Sequence, residues 1–290
     1  MEKLNQTTIL KGYTPEEQLQ SIGEDTKDFS PINYCPNTMI SKDQKKLVVI
    51  ELNYDTEWEE NKKIEKVILL NSVTMIGRNT FRDFTSLQKV VIPNSVKNIR
   101  ERAFENCTSL QKVVIPDSVI EIGSSAFGGC TSLEQIVIPD SVIEIGSNAF
   151  SGCTSLQEIV IPNSVTRILP LTFSNCTSLQ KIVIPNSVKN IRERAFENCT
   201  SLQKIVIPNS VKEIDEAAFG GCTSLEEIVI PDSVTEIGRD AINGCTSLEE
   251  IVIPESVTKI GYCAFGGYKS LTSINIPNSM TNIGYRAFGV

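Results

Sequence analysis

The stretch LQKVVIPDSVIEIGSSAFGGCTS, residues 110–132, decides how this chain of 290 residues folds, because variants of it follow one another along most of the sequence. Its clearest marker is a proline that is preceded by isoleucine and followed two residues later by serine. This marker recurs every 23 residues, at Pro93, Pro116, Pro139, Pro162, Pro185, Pro208, Pro231, Pro254 and Pro277. A fixed period of this length, with leucine and isoleucine columns, indicates a leucine-rich-repeat solenoid in which each repeat forms one coil.

The residues before the proline predict a short strand, because they are β-branched and bounded by breakers. In the quoted repeat, alternation turns Val113 and Ile115 inward and leaves Lys112 and Val114 facing out. Pro116 marks the point where the chain leaves the sheet, because proline cannot donate a hydrogen bond to a strand ladder.

The second half of the repeat predicts the opposite side of the coil. Gly123 and the pair Ala126-Phe127 indicate a tight turn followed by one helical turn. Strands on one side and helical turns on the other make a stack of coils curve, with the strands on the inner side. We therefore expect about ten right-handed β/α-type coils with a parallel sheet on the concave face.

The repeats divide the chain into two regions. Residues 64–290 are predicted to form the solenoid, and residues 1–63, which lack the pattern, an N-terminal cap that covers its first apolar columns. Within the cap, residues 47–50 predict a strand. One stretch of the array, residues 92–112, recurs without change at 184–204, four repeats later, which indicates duplication within the array.

The repeated columns IPxSVxxIGxxAFxxCTSL resemble those of the BspA-like family of leucine-rich-repeat proteins, and the resemblance covers about residues 64–290. The resemblance implies a protein displayed on the cell surface or secreted, which binds host or matrix proteins as adhesins do. It implies no enzymatic activity and no cofactor. Residues 41–47 also look like the hairpin that often interrupts arrays of this family. The first residues contain no apolar run of the kind a signal peptide needs, so a cytoplasmic location stays open as the alternative.

Cysteine forms a column of its own in the array. Seven of the nine cysteines lie one period apart, at Cys107, Cys130, Cys153, Cys176, Cys199, Cys222 and Cys245. Because the chain has no histidine and no CxxC pair, we predict no metal site. Cysteine packs readily as a small apolar residue, so we interpret these as free thiols of the core. Disulfides between neighbouring coils are the alternative.

The composition excludes several classes of function. The formal net charge of −8 argues against nucleic acid as a partner, and no apolar stretch is long enough to insert into a membrane. A Ser-His-Asp or Cys-His nucleophile system needs histidine, which is absent. The acidic residues occupy regular solvent columns, so their environments are nearly identical, whereas acid catalysis needs carboxyls in distinct environments. We predict no catalytic residues.

One surface remains as a candidate binding site for a protein partner. Two residues before each proline except the last lies an outward-facing valine: Val91, Val114, Val137, Val160, Val183, Val206, Val229 and Val252. Stacked at about 4.8 Å, they form an apolar stripe roughly 35 Å long. Contiguous apolar surface marks an interaction site. The alternative is that valine fills the column because it favours strands.

A charged column runs beside the valines, four residues before each proline. It reads Lys89, Lys112, Gln135, Glu158, Lys181, Lys204, Glu227 and Glu250, and Ser273 stands at this position before the last proline. A partner of complementary charge would be steered and held in register by this column. An ordinary solvated face is the alternative interpretation.

The end of the given sequence adds one expectation. The last coil stops at Val290 without a polar capping element. We expect that the chain continues or that this end docks on another chain, so self-association is one alternative to the adhesin function. An intracellular scaffold is a second alternative, because no signal peptide is visible and the cysteines are interpreted as free thiols.

Overall fold

A computed structural model describes residues 15–32, 35–49, 63–268 and 273–289. The chain begins with a short helix α1 (Pro15–Ser21), a 3-10 turn (Thr26–Asp28) and three strands, β1 (Phe29–Ile32), β2 (Cys35–Ser41) and β3 (Lys46–Val49). Strands β1, β2 and β3 are antiparallel neighbours, and β2 and β3 form the hairpin that the sequence predicts there. We refer to the described part of residues 15–41 as the N-terminal segment, and β3, which pairs with β4, is the first strand of the row described next.

Every coil then contributes two strands, numbered in chain order. The first strand of each coil is β4 (Lys66–Leu69), β6 (Lys89–Val91), β8 (Lys112–Val114), β10 (Gln135–Val137), β12 (Glu158–Val160), β14 (Lys181–Val183), β16 (Lys204–Val206), β18 (Glu227–Val229), β20 (Glu250–Val252) or β22 (Ser273–Asn275). These strands are parallel, and each contacts the equivalent strand of the next coil. They form the row of strands that the sequence predicts. We call the outward side of this row the strand face.

A second row of strands follows the first and is not predicted from the sequence. Its members are β5 (Met75–Ile76), β7 (Asn98–Ile99), β9 (Glu121–Ile122), β11 (Glu144–Ile145), β13 (Arg167–Ile168), β15 (Asn190–Ile191), β17 (Glu213–Ile214), β19 (Glu236–Ile237), β21 (Lys259–Ile260) and β23 (Asn282–Ile283). They form two ladders of parallel strands that are in register, one from β5 to β11 and one from β13 to β23. Two residues per strand are too few to show an alternating sequence pattern.

The helical turn that the sequence predicts around Ala126-Phe127 is replaced by hydrogen-bonded turns in the described coils. The Ala126 amide donates to the carbonyl of Gly123, whereas the Phe127 amide donates to Ala149 of the next coil at 2.9 Å. Ser125 has a φ of 53° and Gly129 one of 71°, so a left-handed residue stands on each side of the stretch 126–128. A right-handed helix cannot continue through a left-handed residue, and the amides turn toward the neighbouring coil instead.

The main core is an apolar cluster that runs from Leu47 to Ala287 through the described coils, and a smaller cluster lies beneath the N-terminal segment. One column of it is a stack of phenylalanines; neighbouring rings such as Phe104 and Phe127 lie 5.3 Å apart and are nearly parallel. Ile242 takes the place of phenylalanine in a single coil of this stack. The architecture confirms the predicted leucine-rich-repeat solenoid of about ten coils with a parallel sheet.

Candidate functional site

The strand face carries an exposed row of valines. Each has its side chain on the opposite side of the strand from the core, because its neighbours in the strand point inward. The exposed fractions are 37% for Val114, 62% for Val137, 61% for Val160, 45% for Val183, 55% for Val206, 44% for Val229 and 60% for Val252. We call these seven residues the valine row.

Val91 differs from the expectation that all eight valines are exposed, since it is half-buried. It pairs in register with Ile68, and Ile68 with Val48, so these two residues continue the same row toward the N-terminus. Both are fully buried, in a cluster with Leu19 and Phe29. The N-terminal segment therefore covers the beginning of the row, which explains why Val91 packs against that cluster.

The charged column lies beside the valine row with all of its members exposed, namely Lys89, Lys112, Gln135, Glu158, Lys181, Lys204, Glu227 and Glu250. Neighbouring members stand opposite one another in the strand pairing; Glu158 faces Lys181, and Lys204 faces Glu227. The Lys204 ammonium lies 2.7 Å from the Glu227 carboxylate, with both side chains more than half exposed. A pair this exposed contributes only about 0–1 kcal/mol and can exchange for another partner.

Glu24 binds the two lysines that continue this column toward the N-terminus, in register with Lys89. Its carboxylate accepts a hydrogen bond from Lys46 at 2.9 Å and another from Lys66, residues that lie in register on β3 and β4. The carboxyl is 9% exposed. Burial by itself would raise the pKa of Glu24, but the hydrogen bonds from Lys66 and Lys46 outweigh it and lower the pKa. Sequence reasoning did not find Glu24, because nothing near it in the chain signals these partners.

The seven regularly spaced cysteines are buried and free. Each thiol donates to the carbonyl of the phenylalanine column 26 residues earlier, as Cys153 does to Phe127 at 3.2 Å. Burial, and then the neighbouring thiols, raise the pKa of Cys153 well above its usual value. The column thus consists of buried thiols whose polar atoms have hydrogen-bond partners inside the core.

Two further observations concern metal binding and membrane-spanning helices. Within the ranges that the structure describes, no three His, Cys, Asp or Glu side chains lie together in a way that could hold a metal ion. Of the helices in those ranges, none has the length and apolar character needed to cross a membrane.

Several solved structures similar to this chain are described as leucine-rich-repeat or leucine-rich proteins. A protein of Bacteroides ovatus is 25% identical, with 88% of each chain covered and a TM-score of 0.38. A leucine-rich cell surface protein of Faecalibacterium prausnitzii is 26% identical over 89% of this chain and 92% of its own, with a TM-score of 0.40. The pneumococcal vaccine antigen PcpA is 17% identical over 88% of this chain and 77% of its own; its TM-score of 0.54 reflects a shared fold.

No curated protein matches the chain. The profile of the family described as the BspA type leucine-rich-repeat region matches residues 55–180 and 170–289, and therefore nearly all of the coils. The chain belongs to the BspA-type leucine-rich-repeat family.

Proposed function

We propose that this protein is a non-catalytic binding module that captures a protein partner on its strand face, and that it acts at the cell surface. The observation that carries the proposal is the valine row, in which apolar side chains of consecutive coils are between 37% and 62% exposed. A partner that covers this row removes apolar surface from water, and this burial favours binding.

The way the chain itself uses this face supports the same function. At Val48 and Ile68 the row is fully buried by the N-terminal segment, whereas its exposure rises from Val114 to Val137. The strand face is thus able to accept an apolar protein surface, and most of it is left uncovered by the described chain. Membership in the BspA-type family supports placement at the cell surface, in an adhesin-type protein that binds host or matrix proteins.

The test is capture of host-cell and matrix proteins by the intact chain, compared with a variant that carries Val137→Lys, Val160→Lys and Val183→Lys. We expect the variant to lose capture while keeping the circular dichroism spectrum and melting temperature of the parent, because the replaced side chains lie outside the core.

A matched control carries Ile120→Lys, Ile143→Lys and Thr166→Lys, three exposed positions that adjoin the second row of strands. It adds the same charge to the same region of the solenoid but leaves the valine row intact. Equal capture by both folded variants would contradict a role of the strand face, whereas loss in the valine variant alone supports it.

A further inference from the structure

We propose that the strand face recognises a partner segment that places an apolar side chain beside a carboxylate, and that Lys181, Val183, Lys204 and Val206 receive it. This inference rests on the proposed function and names the chemistry of the partner. We call these four residues the lysine–valine patch.

The chain contains an example of such a complex within itself. On β3 and β4, Lys46 and Val48 lie beside Lys66 and Ile68, so that two Lys-x-Val/Ile units stand in register on neighbouring strands. The N-terminal segment places Leu19 in the cluster with Val48 and Ile68, and its Glu24 carboxylate binds both ammonium groups. Leu19 is fully buried there.

The lysine–valine patch carries two Lys-x-Val units of the same kind on β14 and β16, neighbouring strands that contact each other although they belong to different ladders. Lys181-Ile-Val183 and Lys204-Ile-Val206 place ammonium groups and apolar side chains in the same columns as the β3 and β4 units. Val183 is 45% and Val206 55% exposed, and both lysines are exposed. The patch therefore has the chemistry of the occupied site without a covering segment in the described chain.

The charges on the neighbouring coils limit where an acidic segment can bind. The corresponding residues are Gln135 and Glu158 on one side of the patch and Glu227 and Glu250 on the other. Acidic residues there repel a carboxylate, so an acidic segment gains most from the two lysines and is held in one register. The first two coils also carry lysines, Lys89 and Lys112, but Val91 is already half-buried by the N-terminal segment.

The Lys204–Glu227 contact predicts that loss of the Glu227 charge strengthens binding of the partner. A partner carboxylate must compete with Glu227, whose distance to Lys204 is 2.7 Å. Removing the charge of Glu227 therefore frees the ammonium group for the partner. A purely apolar interaction with the valines would be indifferent to this change.

The experiment uses the full chain and a synthetic peptide with the sequence of residues 15–29, PEEQLQSIGEDTKDF, carrying a photoreactive leucine analogue at Leu19. Cross-links are mapped by mass spectrometry. We expect cross-links in residues 181–206, at least fivefold fewer with Lys181→Glu/Lys204→Glu, and about two- to fivefold more with Glu227→Gln. The same peptide with Glu24→Lys should also lose these cross-links.

The matched control is Lys189→Glu/Lys212→Glu, which changes the same charge at exposed positions of the same coils, beside the second row of strands. It should leave the cross-links within about twofold. Cross-links in 181–206 that are insensitive to Lys181→Glu/Lys204→Glu would overturn the inference while the strand face remains a binding surface. Cross-links confined to residues 46–70 would overturn it as well, because the peptide would then only replace the chain's own segment.

Failure of the proposed function has a different signature. In that case the peptide would not cross-link to the strand face at all, and the Val137→Lys, Val160→Lys, Val183→Lys variant would capture whole proteins as well as the parent does. The two experiments together therefore separate a wrong partner chemistry from a wrong surface.

Discussion

The hydroxyl of Tyr268 donates a hydrogen bond to the carbonyl of Ile242 at 3.1 Å, one coil beyond the last regularly spaced cysteine. The bond spans 26 residues, as does the bond from the Cys245 thiol to the carbonyl of Phe219. Tyr268 therefore occupies the next position of the cysteine column and performs the same task with a different group. Its side chain is only 7% exposed, although tyrosine is much larger than cysteine.

Tyr268→Phe is expected to destabilise the C-terminal coils by about 1–3 kcal/mol, because it leaves the buried carbonyl of Ile242 without its donor. Hydrogen exchange of residues 236–268 measures the effect, since neighbouring coils of a solenoid lose stability together. Tyr285→Phe is the control; Tyr285 is 70% exposed, so its change should stay within about 0.5 kcal/mol. Similar exchange in both variants would contradict the assigned role of Tyr268.

The cysteine column predicts a pattern of chemical reactivity. Burial raises the pKa of Cys176 to about 12, so at pH 8 its thiolate is roughly a thousandfold scarcer than that of an ordinary cysteine. Cys263 lies in a turn and is only half-buried. We expect iodoacetamide to modify Cys263 in the folded protein while the seven thiols of the column react only after denaturation.

Peptide mapping by mass spectrometry measures the modification of each cysteine in the folded and in the denatured protein. The denatured sample serves as the control for intrinsic reactivity, because every thiol is then accessible. Modification of Cys153 or Cys176 in the folded protein at the rate of Cys263 would show that the column is open to solvent and would contradict the packing described above.

Leu171 is expected to weaken the turn it occupies. It has a φ of 60°, in a column of left-handed residues where the preceding coils have Asn148 and Ser125. Asparagine tolerates this conformation better than a bulky residue does. Leu171→Asn should therefore raise the free energy of unfolding by about 0.5–1 kcal/mol. Chemical denaturation measures it, and Leu169→Asn, outside the left-handed positions, should give no such gain.

The parts of the molecule that sequence predicts are those set by the repeat itself. A residue such as Val160 meets its equivalents one period away, so its column defines its neighbours, and alternation within the strand defines its side. The same reasoning places Cys153 among other cysteines. The period also identifies Pro162 as the end of a strand, because a proline in every coil must lie outside the ladder.

The parts that sequence does not predict depend on contacts outside the period or on backbone angles. Glu24 and Lys66 are separated by 42 residues, and no repeated column links them. The half-buried position of Val91 has no sequence signal either, because the residues that cover it, Leu19 and Phe29, lie outside the repeats. Likewise, the left-handed φ of Ser125 or Leu171 has no sequence signature, since neither residue type favours it, and the predicted helical turn is therefore wrong.

Protonation of Glu24 is expected to weaken the docking of the N-terminal segment at low pH. Because its pKa is lowered in the folded chain, the carboxylate stabilises the docked N-terminal segment above its ordinary pKa near 4.5, and this stabilisation is lost as the pH falls through the lowered value. Between pH 7 and 5.5 the segment should stay docked. Below about pH 4.5 the helix α1 and strand β3 should exchange amide hydrogens progressively faster, after correction for intrinsic rates.

A variant separates this effect from general acid unfolding. Glu24→Gln removes the charge that Lys46 and Lys66 bind, so exchange in α1 and β3 should be about 10- to 100-fold faster at pH 7 and should respond little to acid, which corresponds to about 1.5–3 kcal/mol for hydrogen bonds to a charged group. Residues 136–160, in the central coils, serve as the internal reference. If α1 and β3 in the parent lost protection only together with that reference, Glu24 would not be the group that holds the N-terminal segment on the strand face.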